Sequence, residues 1–122
     1  MKGKINISDS EWEVMKLLWK QEEPIKQPQL LEVCEKEGKE WKRQTLNTFL
    51  SRLEEKGLVK REGGYVSTLM GEEEFNFHQV KEAINSLYDG KLSKFVAAFS
   101  KENAITKEDA EELYNIINAK RG

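Results

Sequence analysis

Apolar residues recur at helical three- and four-residue intervals in six stretches of this chain, and near its middle the period shortens to two. Trp12, Met15, Leu18 and Trp19 form the first stripe, over roughly 9 to 20, and Ser8 lies three residues before Glu11, the spacing of a capping box. The stretch QEEPIKQPQ breaks that helix, because Pro24 and Pro28 donate no backbone hydrogen bond. Pro28 suits the first turn of a second helix that packs Leu30, Leu31 and Cys34 inward and stops at Gly38. In WKRQTLNTFLSRLEEKG, Leu46, Phe49, Leu50 and Leu53 share one stripe, which predicts a third helix over roughly 43 to 56. Gly57 is the expected left-handed cap, with Leu58 placed to pack back onto that helix. LVKREGGYVSTL then reads as a hairpin: Leu58, Val59, Tyr65, Val66 and Thr68 are strand formers around the turn pair Gly63-Gly64.

Three helices followed by a hairpin is the order of a winged helix-turn-helix, in which the third helix enters the DNA major groove and the hairpin lies along the backbone. The fold class expected is therefore mainly α with a small β-hairpin. Residues 1–70 form a winged-helix DNA-binding domain, and residues 71–122 a helical dimerisation region of three helices. The first of those three carries Phe77, Val80, Ile84, Leu87 and Tyr88 and stops at Gly90. The second carries Leu92, Phe95, Val96 and Phe99. The third starts at a cap, Thr106 three residues before Asp109, and carries Ala110, Leu113, Ile116 and Ile117. So short a helical segment cannot bury that much apolar surface alone. A second copy of the chain is expected to cover Phe77, Ile84, Leu87, Tyr88, Leu92, Phe95, Leu113, Ile116 and Ile117, making a homodimer.

The polar side of the third helix reads Gln44, Thr48 and Ser51, flanked by Thr45, Asn47 and Arg52, with no acid before Glu54. A helix face that merely met solvent in this charge-rich chain would carry Glu and Lys. Amides and short hydroxyls suit the donor and acceptor patterns of base edges, and carboxylates facing phosphates are unfavourable. Lys42, Arg43 and Arg52 are placed to meet phosphate or guanine. Lys60 and Arg61, just before the hairpin tip, either grip phosphate or protect an exposed edge strand. Trp41 is expected to pack beneath the reading helix.

Charge sharpens this picture. The net charge is −2, yet residues 39–61 hold seven Lys/Arg against three Glu, while residues 67–122 hold seven against ten acids. A small domain touches phosphates with one face, so the local excess matters more than the total. With 38% hydrophobic and 34% charged residues among 122, the chain reads as one soluble domain, or two very small ones. No run of 18 apolar residues exists, and MKGKINISDSEW holds no apolar signal core, so a cytoplasmic location without direct membrane binding is expected. One cysteine, Cys34, suits a reducing compartment, and with a lone His78 it cannot assemble a zinc site; no metal or cofactor is expected. Catalytic patterns are absent as well. There is no nucleophile elbow, phosphate-cradling glycine loop or His-x-x-Glu-His, so the chain is not read as an enzyme.

ISDSEWEVMKLLWK, TLNTFLSRLEEKGLVKRE, GEEEF and the spacing from LYDG to EEL together resemble the BlaI/MecI penicillinase-repressor family over nearly the whole chain. The resemblance implies a winged-helix repressor that dimerises through its C-terminal helices on a palindromic operator, near β-lactam resistance or related genes. It also implies a membrane sensor-protease pathway that ends repression by cleavage. The cleavable bond of the family falls, by alignment, between Ala98 and Phe99, where relatives carry Asn-Phe. Three features depart from the family pattern. Lys42 and Arg43 stand where relatives cap the reading helix with Ser-Pro or Ser-Asp, Asn47 stands where relatives often carry Arg, and the wing is short. The paired C-terminal cysteines of a copper-responsive branch are missing.

Two other readings fit parts of the chain. A winged helix that binds protein calls for an apolar or acidic third-helix face, which this one is not. A regulator of the MarR or PadR type, controlled directly by a small ligand, would use Phe75, Phe77, Tyr88 and Phe95 to line a pocket; packing in a core or dimer interface is the competing role for those rings.

Overall fold

The structure is a computed structural model that describes residues 5–120. Its elements run α1 (Asp9–Trp19), β1 (Ile25–Lys26), α2 (Gln27–Lys36), α3 (Arg43–Glu55), β2 (Val59–Glu62), β3 (Tyr65–Thr68), α4 (Glu72–Leu87), α5 (Leu92–Glu102) and α6 (Lys107–Lys120). The chain divides into two compact units, residues 1–82 and 83–122. The division falls inside α4, later than the end of the winged-helix pattern, because Phe75 is sequestered in the core of the first unit.

Local chemistry explains the ends of the first three helices. Ser8 caps α1, its hydroxyl accepting from the Glu11 amide at 3.2 Å while the Glu11 carboxylate accepts from the Ser8 amide at 3.2 Å. Pro28 sits in the first turn of α2. After α3 the chain turns through Gly57 at φ +76°, and the Leu58 amide donates back to the Leu53 carbonyl at 3.0 Å, so the helix stops and Leu58 is returned to the core.

The core of the first unit is built from those returns. Val14, Met15, Leu17 and Leu18 of α1 pack with Leu30 and Cys34 of α2, Leu46, Leu50 and Leu53 of α3, and Leu58, Val59 and Val66 of the hairpin. Trp12, Trp19 and Phe75 form an aromatic cluster with centroids 5.5–5.7 Å apart. The Trp19 indole also donates to the Met70 carbonyl at 3.0 Å, fixing the chain where it leaves the hairpin for α4. At the other end of the unit, Gln79 of α4 exchanges two hydrogen bonds with the backbone of Ile5.

The sheet is larger than the periodicity indicated. β2 and β3 form the expected hairpin, pairing Arg61 with Val66 and Glu62 with Tyr65 around Gly63 and Gly64, both at positive φ. Ile25 and Lys26, inside the proline-broken stretch, add a third antiparallel strand on the far side of β3, giving the order β1-β3-β2. Two residues are too few to show a period of two. What selects the strand is burial of Ile25 and the otherwise unpaired edge of β3, and the Gln27 amide extends the pairing to the Gly64 carbonyl at 3.1 Å.

In the second unit the Tyr88 and Phe95 rings meet edge-on at 5.8 Å, and Phe95 lies 6.4 Å from Phe99. No residue of α5 or α6 is buried in the single chain.

Candidate nucleic-acid interface

α3 is anchored by Leu46, Leu50 and Leu53, which fixes the direction of its opposite side. Lys42, Arg43, Gln44, Asn47, Thr48 and Arg52 are exposed, and Thr45 and Ser51 are half-buried at the flanks. The helix has no acidic residue in its first turn. Lys42 occupies its N-cap without a side-chain hydrogen bond, so unsatisfied amides, the positive end of the helix dipole and two cations coincide there. That is a phosphate-attracting end. The same face forms one wall of an open groove of about 1010 Å³, whose other wall is Pro28, Leu31, Glu32 and Glu35 of α2.

The polar side chains of this face are held in part. The Thr48 hydroxyl donates to the Gln44 carbonyl at 3.1 Å, so toward an outside group it acts as an acceptor. Arg61 reaches across from β2 and makes four hydrogen bonds to α3. They go to Asn47 Oδ1 at 2.8 Å, to Ser51 Oγ at 2.8 Å, and to Glu54 Oε1 from two nitrogens at 3.0 and 3.3 Å. Sequence reasoning placed Arg61 at the wing tip and Glu54 at the border of the reading face. It missed that strand pairing brings the two together over Asn47 and Ser51, a tertiary contact with no local signal. Lys60, by contrast, is exposed on the wing, 3.6 Å from Glu62. Trp41 packs edge-on against Phe49 at 5.0 Å and braces the entry to α3, as expected of a residue under the reading helix.

Away from this face lie the other groups of interest. The Cys34 thiol is buried, and burial pushes its pKa up to about 11. Glu11, 2% exposed, pairs with Lys56 of the α3 C-cap. Burial acts to raise the Glu11 carboxyl, but the hydrogen bond and charge of Lys56 and the two contacts with Ser8 outweigh it, leaving the pKa below the ordinary value. The four rings weighed as a ligand pocket have separate roles. Phe75 packs between Trp12 and Trp19, Phe77 is exposed, and Tyr88 pairs with Phe95. Of the apolar residues expected at a dimer interface, Phe77, Leu87, Leu92, Leu113, Ile116 and Ile117 are exposed, Leu87 to 72%. Ile84, Tyr88 and Phe95 are half-buried. Ala98 is half-buried and Phe99 exposed, both within α5. Among the described residues, no helix is long and apolar enough to cross a membrane.

A helix-turn-helix with a short wing and an acid-poor, amide-bearing third helix defines a DNA-binding regulator of the winged-helix class. The comparison with known proteins narrows this. The profile of the penicillinase repressor family matches residues 7–119, and the chain belongs to that family. It is similar to the methicillin resistance regulatory protein MecI of Staphylococcus aureus strain N315, 30% identical over 119 residues that cover 93% of this chain and 94% of the relative. The penicillinase repressor of Bacillus licheniformis is 31% identical over 121 residues, covering 96% and 93%. That of Staphylococcus aureus is 27% identical over 118 residues, covering 93% and 92%. These are regulators, and the chain is not an enzyme.

Proposed function

We propose that two copies of this chain, joined through α4–α6, hold two copies of α3 in successive major grooves of a palindromic operator and so repress transcription. The observation that carries this reading is the exposed face of Arg43, Gln44, Asn47 and Thr48, free of carboxylates and set on a buried leucine stripe. The apolar surface of α4–α6 supports the dimer, since Leu87, Leu92, Ile116 and Ile117 are all more than half exposed in one chain.

Joining the two arms multiplies affinity. A single winged helix at about 10⁻⁵ M, with an effective concentration on the order of millimolar for the second arm, gives about 10⁻⁷ M before base contacts tighten it. Repression can then be switched without altering any DNA-contacting residue. Cleavage between Ala98 and Phe99 by a sensor-protease pathway is the route we favour. Phe99 is exposed in the single chain, so a protease is expected to reach this bond as the dimer opens. The curated relatives are named for methicillin resistance and penicillinase, and genes of the β-lactam resistance type are the proposed targets here.

The test is genome-wide binding by the full chain, followed by Gln44→Ala and Asn47→Ala on the strongest site. Each is expected to remove about 1–3 kcal/mol of discrimination at one base pair. Uniform weakening on all duplexes would reduce these side chains to phosphate positioning. Phenolic or β-lactam compounds added directly are expected to leave operator affinity unchanged; a shift would favour a ligand-controlled regulator of the MarR or PadR type.

A further inference from the structure

Arg61 is half-buried on the wing strand, and its guanidinium is directed into α3. A guanidinium carries five N–H donors and no acceptor. Four hydrogen bonds to Asn47, Ser51 and Glu54 leave one N–H on Nη1 for any outside group. That is a poor endowment for a phosphate grip, for which exposed Lys60 next to it is better placed.

The bonds also decide which ends of its partners face outward. A donor-only group can satisfy only the oxygen of an amide, so Asn47 must turn Oδ1 to Arg61, at 2.8 Å, and keep its Nδ2 hydrogens for other partners. Ser51, one helical turn on, accepts from Arg61 at 2.8 Å and keeps its own hydrogen to donate. Glu54 completes the row with both its contacts to Arg61 made through Oε1, so the acid that borders the face is paired with a cation.

Resting on the DNA-reading role proposed above, we infer that Arg61 is a positioning residue that sets base specificity. By taking one lone pair of Asn47 Oδ1 and one of Ser51 Oγ and turning both oxygens toward the wing, it biases this stretch of α3 toward donating and so toward an acceptor-rich base edge. In the major groove guanine offers two acceptors, N7 and O6, whereas adenine places a donor beside N7 and cytosine offers a donor. An asparagine without such a constraint pairs bidentately with adenine, using both ends of its amide. Arg61 therefore shifts the preference of Asn47 from adenine toward guanine.

The experiment is selection from a random-core duplex DNA library by the full-length protein and by Asn47→Ala, Arg61→Ala, Arg61→Lys and Glu54→Gln. Circular dichroism melts accompany each; Arg61 and Glu54 lie outside the buried core, so the variants are expected to stay folded, which the melts check. The wild type is expected to prefer guanine at the position where Asn47→Ala loses preference. At that position Arg61→Ala and Arg61→Lys are expected to lower the guanine-to-adenine ratio at least about fivefold, with Glu54→Gln between them and wild type. Lysine retains attraction for phosphate but cannot bridge the three partners, so its failure to rescue separates positioning from charge.

Three results would overturn the inference while leaving DNA reading intact. They are adenine preferred at the Asn47 position, an unchanged base ratio in Arg61→Ala with all duplexes weakened alike, or full rescue by lysine. A wild-type protein that enriches no sequence would instead defeat the DNA-reading role itself.

Discussion

Glu11 illustrates how a single side chain serves two ends of the fold. Its carboxylate closes the α1 capping box with Ser8 and also receives Lys56 from the end of α3. The folded-state pKa is depressed below the ordinary 4.5, so its contribution to stability is fully present above that value and is lost as pH falls through the folded pKa. Glu11→Gln is therefore expected to cost about 1–3 kcal/mol at pH 7, with the deficit shrinking below about pH 4.5, as measured by urea melts across that range. Cys34 makes the opposite case. A buried thiol held up at about 11 has almost no thiolate at neutral pH, so iodoacetamide should label it only at the rate at which the domain opens. Added urea below the unfolding midpoint would accelerate labelling; rapid labelling of the native protein would contradict the burial.

Among the elements, α3 combines a strong C-terminal stop with a weak start. Gly57 takes a positive φ with open space around it, so Gly57→Ala is opposed by backbone strain alone and should cost about 1–2 kcal/mol by thermal or urea melts. At the other end Lys42 supplies no cap bond. Lys42→Ser is expected to raise stability by about 1 kcal/mol. The same change should weaken binding to every duplex alike and flatten its salt dependence, because the cation lost belongs to phosphate attraction. A more stable variant with unaltered DNA affinity would show that Lys42 touches no phosphate. On the DNA-reading role proposed above, the missing cap is stability given up for positive charge at that helix end.

For the molecule as a whole, the decisive contrast lies between the two compact units. Residues 1–82 enclose a continuous core of leucine, valine and aromatic side chains, whereas no residue of α5 or α6 is fully buried within one chain. Ile116→Glu, on an exposed apolar position, is expected to shift the protein from dimer to monomer in sedimentation experiments and to lower operator affinity about 100-fold. The stability of the winged-helix core should be unchanged. A variant that stayed dimeric would move the interface elsewhere.

Much of this was legible in the residues themselves. The capping box at Ser8, the stop at Gly57, the Gly63-Gly64 turn and the leucine stripe of α3 are local rules, each satisfied within a few residues of the chain, and together they define the helix-turn-helix and its wing. They also aim the polar face outward, because a stripe that must be buried fixes its opposite side. Contacts between groups far apart in sequence were not legible. Strand β1 exists only because β3 offers an edge and the core a place for Ile25, and the grip of Arg61 on Asn47, Ser51 and Glu54 depends on where strand pairing sets β2 against α3. Periodicity reports which side of an element faces the core. Only the packed chain decides which neighbour each polar side chain finds, and hence which hydrogen-bonding ends are left exposed.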